Sequence, residues 1–377
     1  MSITNKYFYI SVILLCFYNA NAKGNKGNDP VLDFAKQQIE QKFYLPAIST
    51  LNTFLESNPK DRDATYWKAY CYYKTDNFLA AEENYALVLK LDPKYLAAYV
   101  DMANMRVKQK KFNEAIPYFN TAISLKDSVI DLINSRGMCY YYADKFELAI
   151  KDFKRVIQLD PNNYLAYNNK GSAGYNNQNI ASASIIDLRT AEKDFNKSIE
   201  LKPDFELAYR NRGIVRYHMD SLVAAYKDLL YASQLDPKDE NAHYYLGKLL
   251  DKQKNYPVAI QFFDNAIKLV NYKAEFYMDR GNCKLNMDNF KGARKDFYQA
   301  LQLTNEKGLI YYYIARIEAA EANKSECFQA LRDAKKAGLF NDVRYFTYIY
   351  KDLYYAAWLK DKEFNDLMKE LKFGKKF

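Results

Sequence analysis

The stretch Leu89–Pro93 reads LKLDP, and close variants of it return along the 377-residue chain. The variants IQLDP, IELKP and SQLDP end at Pro161, Pro203 and Pro237. Pro237 follows Pro203 by 34 residues, and Pro161 lies two such intervals beyond Pro93. Because a proline cannot donate to the helical turn before it, each line marks the end of a helix. The chain therefore repeats a unit of 34 residues.

A second mark appears inside each unit. A small residue is followed twelve positions later by alanine, and four positions after that by a large apolar residue. The complete sets are Ala35/Ala47/Leu51, Ala69/Ala81/Tyr85, Ala103/Ala115/Phe119, Gly137/Ala149/Phe153, Gly213/Ala225/Leu229, Gly247/Ala259/Phe263 and Gly281/Ala293/Phe297. Ala315/Cys327/Leu331 continues the series, and Gly171/Ala191/Phe195 fits it with a longer spacing. This spacing predicts two helices that approach closely at the small residues, with the large residue filling the gap one turn on.

These marks resemble the tetratricopeptide repeat, a 34-residue unit of two antiparallel helices. The resemblance covers roughly residues 28–341. It implies an all-α, right-handed superhelical solenoid of about nine helical hairpins, with a C-terminal capping helix. In such arrays the first helix of each hairpin lines an inner, concave groove.

The domain organisation follows from where the pattern starts, breaks and stops. We expect a signal peptide in 1–22, a short linker in 23–29, the repeat array in 30–341 and capping helices in 342–377. Eight extra residues fall within 176–189, and they must lengthen a hairpin or form a loop at its tip. Phe364, Leu367, Met368 and Leu371 form one apolar stripe among charged residues, which suits a closing helix.

The first 22 residues predict export. Lys6 precedes an uncharged run, YFYISVILLCFY, and Ala20-Asn21-Ala22 has the pattern of a signal peptidase site. The run is too short for a comfortable membrane span, and no second hydrophobic run follows it. We therefore expect a periplasmic or secreted protein that begins near Lys23. It should have no transmembrane span, and a peripheral association with the cell envelope is compatible with this.

Composition and motifs argue against catalysis. The two histidines, His218 and His243, have no cysteine or carboxylate at metal-ligand spacing, so they read as ordinary helix-surface residues and no metal is expected. No glycine-rich phosphate-binding motif is present, so no cofactor is expected. A net charge of +9 is mild for this length and fits a solvated exterior, so no nucleic-acid partner is expected. We predict that the protein is not an enzyme.

The cysteines are predicted to be buried thiols without disulfides. Cys71, Cys139 and Cys283 hold the same position in non-adjacent repeats, which separates them by far more than the ~7 Å that a disulfide tolerates between Cα atoms. Cys327 takes the place of the packing alanine on a second helix.

Four repeats carry a basic residue before the first-helix glycine and an aspartate before the large apolar residue. The pairs are Arg136/Asp152, Lys170/Asp194, Arg212/Asp228 and Arg280/Asp296. The third, seventh and ninth repeats have uncharged residues at both places. This covariation predicts partly buried ion pairs, within one hairpin or between neighbours. A repeated ligand site is the alternative.

The groove is the predicted binding site. Its inward stripe runs at i, i+3, i+7 and i+10 of each first helix, and it is richest in aromatic and hydrogen-bonding side chains in repeats four to seven. The candidate residues are Tyr141, Asn168, Tyr175, Arg210, Tyr217 and Tyr244. Tyrosines would bury area, Asn168 would bind a peptide backbone and Arg210 would bind an acidic group. The alternative is that tyrosine and asparagine are simply common in this chain.

Two functions remain. The first is an extracytoplasmic scaffold that binds a protein or peptide partner in its concave groove. The alternative is a glycan-associated or cell-envelope assembly factor, in which the tyrosines stack on sugars.

Overall fold

The computed structural model describes residues 29–126, 129–176 and 184–373, and every regular element in these ranges is helical. The expected signal peptide and nearly all of the linker lie outside them. The chain divides into two compact units at Pro203/Asp204. The unit before this boundary holds five hairpins, and the unit after it holds four hairpins and a C-terminal segment.

The first unit contains ten helices. They are α1 (Pro30–Glu40), α2 (Tyr44–Ser57), α3 (Arg62–Lys74), α4 (Phe78–Leu91), α5 (Leu96–Lys108), α6 (Phe112–Leu125), α7 (Ile130–Tyr142), α8 (Phe146–Leu159), α9 (Tyr164–Asn176) and α10 (Ile185–Leu201). Each odd-numbered helix packs against the even-numbered helix that follows it, and it also contacts a first helix of a neighbouring hairpin at α1/α3, α3/α5 and α7/α9.

The second unit contains the other ten. They are α11 (Glu206–His218), α12 (Leu222–Leu235), α13 (Glu240–Lys252), α14 (Tyr256–Leu269), α15 (Ala274–Leu285), α16 (Phe290–Leu303), α17 (Gly308–Ala320), α18 (Lys324–Lys336), α19 (Arg344–Lys351) and α20 (Lys362–Phe373). Two short 3-10 helices, Leu339–Asn341 and Leu353–Trp358, flank α19. The prediction of an all-α chain of about nine hairpins is confirmed for the described residues.

The predicted packing positions form the core. In all nine hairpins the second-helix alanine, or Cys327 in its place, and the large residue one turn on are almost completely buried. A Cβ added to Gly247 would lie 2.7 Å from the ring of Phe263, so glycine there allows the two helices to meet. The second helices α4, α8, α10 and α12 end at the residue two before the recurring proline, as the pattern predicts.

The turn between the two helices of a hairpin has a fixed conformation. One residue, seven positions after the small residue, takes a left-handed conformation with φ near +60° in eight hairpins. These residues are Lys42, Asp76, Lys110, Asp144, Asp220, Lys254, Asp288 and Ala322. The next backbone N–H then reaches back to the end of the first helix, as Asn255 N–H does to Leu250 C=O at 2.8 Å. This closes the first helix by a Schellman-type bond.

The eight-residue insertion lengthens the fifth hairpin. The first helix α9 keeps its usual 13 residues, whereas α10 has 17 residues instead of 14 and begins with a capping box between Ser184 and Asp187. Three of the eight extra residues therefore extend α10. The remaining five belong to 177–184, most of which lies outside the described residues.

All four predicted ion pairs form, and each lies within one hairpin. The Arg136–Asp152, Lys170–Asp194 and Arg212–Asp228 contacts are 2.7 Å, and the Arg280–Asp296 contact is 2.5 Å. The pairs are mostly buried, as predicted. Two of these pairs belong to larger clusters, because Arg216 also binds Asp228 and Lys284 also binds Asp296, each at 2.8 Å.

The cysteine prediction is confirmed for the four described cysteines. Cys71, Cys139, Cys283 and Cys327 are buried and unlinked. Burial raises the pKa of the Cys71 and Cys139 thiols to about 12, so both are neutral at physiological pH.

The second unit closes with the predicted apolar stripe. Phe364, Leu367, Met368 and Leu371 of α20 are buried, and α20 packs on α18. Lys324 of α18 binds Asp361 at 2.9 Å, and Arg332 binds Glu370 at 3.3 Å. The last helix therefore covers the apolar face of the ninth hairpin.

Candidate functional site

The first unit contains an open cleft on its first-helix side, with a volume of about 770 Å³. We call it the N-terminal cleft. Its lining residues come from the first helices of four successive hairpins, the loops before them and the last residue of α6. They are Leu32, Lys36, Arg62, Asp63, Tyr66, Trp67, Tyr95, Leu96, Ala97, Val100, Leu125, Lys126, Val129 and Leu132. Most of this lining is apolar or aromatic, and a volume of this size suits a bound side chain or short peptide.

Aromatic rings form one wall of the N-terminal cleft. The ring of Tyr66 meets those of Trp67 and Tyr95 at centroid distances of 5.1 and 5.2 Å. The guanidinium of Arg62 lies 4.6 Å from the centre of the Tyr95 ring and binds both Asp63 and Asp92 at 2.9 Å. The wall is therefore held in place before any ligand arrives.

A half-buried carboxylate fixes Tyr66 from behind. Asp101 of α5 accepts hydrogen bonds from the hydroxyls of Tyr66 at 2.8 Å and Tyr85 at 3.2 Å. Burial raises the pKa of Asp101 to about 6, although both hydrogen bonds and the nearby Lys74 oppose this shift. The same arrangement recurs in the second unit, where Tyr244 donates to Asp279 at 2.7 Å and burial raises the pKa of Asp279.

The second unit has its own cleft, with a volume of about 820 Å³. We call it the C-terminal cleft. It lies between the first helix α17, the turn that follows α15, the start of α14 and the segment around α19. Its lining residues are Tyr256, Asn286, Asp288, Leu309, Tyr312, Tyr313, Arg316, Tyr345, Tyr348, Lys351, Asp352, Leu353 and Tyr354. Arg316 binds Asp352 at 2.6 Å and lies 5.3 Å from the centre of the Tyr354 ring.

The three predicted site residues of the first unit are not equally accessible. Asn168 is 1% exposed and donates to Asn169 at 3.2 Å, and Tyr175 is 8% exposed beside Phe195. Tyr141 is half-buried, and its hydroxyl accepts a hydrogen bond from Asn176 of the next hairpin at 2.8 Å.

The three predicted site residues of the second unit also contact neighbouring residues. Arg210 is 3% exposed and binds Asp239 at 3.0 Å. Tyr244 donates to Asp279 one repeat later. Tyr217 is half-buried with its ring 5.5 Å from the Lys252 ammonium, and burial raises its pKa to about 12.

Asn168, Tyr175 and Arg210 are therefore buried rather than open to the groove. The physical reason is the stacking of successive first helices, which covers part of the inward stripe of each helix. Arg210 pairs with the aspartate that precedes the next first helix, so its charge is already neutralised. Tyr141, Tyr217 and Tyr244 keep partial exposure.

Both clefts lie mainly outside repeats four to seven, where the richest stripe was expected, although Leu132 of α7 and Tyr256 of α14 contribute to their linings. The second repeat has a stronger sequence indication of a binding surface. Its first helix reads RDATYWKAYCYYK and includes one of the two tryptophans of the chain. The C-terminal cleft had no such signal, because half of it comes from a segment beyond Asp342, where the repeat pattern stops.

The histidines are less exposed than expected. His218 is half-buried, and its pKa is lowered to about 4 by burial and by the charges of Lys248 and Lys252. It is therefore neutral at physiological pH. Within the described residues, no group of three or more histidine, cysteine or acidic side chains could hold a metal ion. None of the described helices is both long enough and apolar enough to cross a membrane.

The paired helices and their 34-residue register define a helical-repeat protein with an open cleft in each unit. Models of the tetratricopeptide repeat match residues 32–96, 96–128, 130–163 and 223–274. These segments are tetratricopeptide repeats, as the sequence pattern predicts.

Comparison with known proteins shows long but distant similarity. The chain is 21% identical over 312 residues to the BBSome complex member BBS4 of Bos taurus, covering 81% of this chain and 58% of that protein. It is 31% identical over 80 residues to a UDP-N-acetylglucosamine–peptide N-acetylglucosaminyltransferase of Giardia intestinalis, covering 21% of this chain and 5% of the transferase. The chain thus spans less than two thirds of either relative.

A solved tetratricopeptide repeat protein from Parabacteroides merdae has a similar fold. It superposes with a TM-score of 0.55 at 18% identity, covering 67% of this chain and 97% of that one. At this identity the similarity defines the fold alone.

Proposed function

We propose that this protein is an exported, non-catalytic scaffold that binds a segment of a protein partner in its first-helix groove. The observation that carries the proposal is the N-terminal cleft, where Trp67, Tyr66 and Tyr95 form an aromatic wall beside an apolar floor. Trp and Tyr are the side chains that contribute most to binding at protein interfaces. Lys36 and Lys126 at the same cleft favour a partner segment that also carries acidic residues.

Under this proposal, the six candidate site residues named from the sequence fall into two groups. Tyr141, Tyr217 and Tyr244 remain candidate partner contacts. Asn168, Tyr175 and Arg210 support the stacking of the hairpins instead, because they are buried.

The alternative is a glycan-associated or cell-envelope assembly factor. The tyrosine-rich lining of the C-terminal cleft favours it, because an aromatic ring can stack on a sugar. A pull-down from the envelope and secreted fractions of the native host separates the two functions. A stoichiometric protein partner supports the scaffold, whereas retention on cell-wall polysaccharide without a protein partner supports the alternative.

Export has its own test. We expect cleavage after Ala22, so mass spectrometry of the protein from its native host should find Lys23 at the N-terminus. A mature form that retains Met1, or a lipid on Cys16, would contradict this expectation.

A further inference from the structure

The C-terminal cleft has a rim of exposed aromatic and apolar side chains. Tyr348 is 49% exposed and Leu353 is 87% exposed. Neighbouring large apolar side chains with this exposure mark a surface that binds something. The rings here are rigidly placed, since Tyr345 meets Tyr348 at 5.6 Å and 88° and Tyr312 at 5.8 Å and 67°. Rings that meet edge to face form a step into which another flat ring can pack.

The hydrogen-bonding groups of the cleft are mainly donors. Within the described part of the second unit, the hydroxyls of Tyr256, Tyr313, Tyr345 and Tyr348 have no hydrogen bond to protein, so each can donate to a ligand.

Both carboxylates of the cleft already accept hydrogen bonds from the protein. Asp352 accepts from Arg316 at 2.6 Å and from the backbone N–H of Tyr354 at 3.1 Å. Asp288 accepts from the Tyr354 hydroxyl at 3.1 Å. The cleft therefore complements a ligand that is rich in acceptors and poor in donors.

A proline-rich peptide has this chemistry. Proline has no backbone N–H, and a polyproline II helix leaves its carbonyl oxygens unbonded and directed outward. Its rings pack on aromatic side chains, and its preformed conformation reduces the entropy lost on binding. Each hydroxyl of a glycan also has a donor that needs an acceptor, and both carboxylates of the cleft already accept hydrogen bonds from the protein.

We propose that the C-terminal cleft binds a proline-rich segment in the polyproline II conformation. The proposal rests on the proposed function in taking a peptide as the ligand, but it assigns a different surface from the N-terminal cleft. Tyr348 and Tyr345 would contact the proline rings, the buried Tyr312 would support Tyr345 from behind, and tyrosine hydroxyls would donate to the peptide carbonyls.

Fluorescence anisotropy with a labelled ten-residue oligoproline tests the proposal on the full chain. We expect saturable binding, and no binding of a glycine-serine peptide of equal length. Tyr348→Ala should weaken oligoproline binding at least tenfold, as expected for a contact residue worth about 2 kcal/mol or more. Tyr350→Ala is the matched control, because Tyr350 is 47% exposed on the same helix α19 but does not line the cleft. It should bind as the wild type does.

Three outcomes would overturn the proposal: no oligoproline binding by the wild type, an equal loss in both variants, or Tyr348-dependent binding of a soluble N-acetylglucosamine hexamer in place of the peptide. Trp67→Ala separates this proposal from the proposed function. It should leave oligoproline binding intact and impair only the partner captured in the N-terminal cleft.

Discussion

The Arg136–Asp152 pair shows how a single contact joins the two helices of a hairpin. Arg136 donates two hydrogen bonds to the Asp152 carboxylate, at 2.7 and 2.8 Å, and Asp152 is buried. Such bidentate pairs combine charge with fixed geometry. Among the described residues, Asp152 has no second basic partner of the kind that Asp228 and Asp296 have, so this pair gives the simplest measurement of the interaction.

We expect Arg136→Met to destabilise the protein by about 3 kcal/mol, because it leaves a buried carboxylate without its partner. The double variant Arg136→Met with Asp152→Tyr, which copies Met102 and Tyr118 of the third hairpin, should be more stable than the single variant. Thermal unfolding of the three proteins measures this difference. Lys197→Met, which removes a surface pair with Glu200, is the control and should change stability by less than about 1 kcal/mol. Additive effects of the two substitutions would show that the residues do not interact.

Asp101 makes the stability of the first unit depend on pH. Its folded-state pKa is raised to about 6 from 3.8, so the folded protein binds this proton more tightly than the unfolded chain does. The resulting stabilisation is fully present below pH ~4 and is lost as the pH rises through about 6.

We expect Asp101→Asn to remove this dependence. The melting temperatures of the wild type and the variant should be similar near pH 5, and the variant should become the more stable of the two near pH 7.5. Melting curves recorded at intervals between these pH values provide the measurement. Curves that stay parallel across the range would show that Asp101 does not titrate there.

At the scale of the element, the left-handed conformation of the turn residue slightly destabilises each hairpin that has it. A non-glycine residue in this conformation loses roughly 1 kcal/mol relative to glycine because of its Cβ. Lys254 has φ of +60° and makes no ion pair among the described residues, unlike Asp220, which binds Lys252. Lys254→Gly should therefore raise the melting temperature, by an amount that corresponds to about 0.5–1 kcal/mol. Gln253→Gly at the neighbouring position, where φ is −82°, should lower it. A decrease in both variants would contradict this explanation of the turn.

The sequence predicted the hairpins well because their packing rules are local. Gly247 and Phe263 lie sixteen residues apart and touch, so their spacing is visible in the sequence. The ion pairs were predictable for the same reason. The burial of Arg210 was not predictable from the sequence, because it depends on Asp239, which belongs to the next hairpin. The C-terminal cleft depends on residues 345–354, which follow no repeat register.

At the scale of the whole molecule, the two units each combine a rigid stack of hairpins with an open cleft. In each unit a half-buried aspartate holds a tyrosine of the first-helix side, Asp101 with Tyr66 and Asp279 with Tyr244. Folding alone does not require aromatic side chains at a cleft. Aromatic side chains that rigid helices hold in place suit the binding of a partner. This division between a repeated core and specialised clefts is the physical basis of the scaffold proposal.

Capture of the native partner by a single pair of variants tests the central claim most directly. Trp67→Ala removes the largest ring of the N-terminal cleft, and Leu79→Ala removes a 72% exposed side chain from the second helix of the same hairpin. With melting temperatures confirming that both variants fold, the proposal predicts that Trp67→Ala weakens partner capture at least tenfold and that Leu79→Ala captures the partner as the wild type does. Full capture by Trp67→Ala together with loss in Leu79→Ala would contradict it and place the site on the second helices.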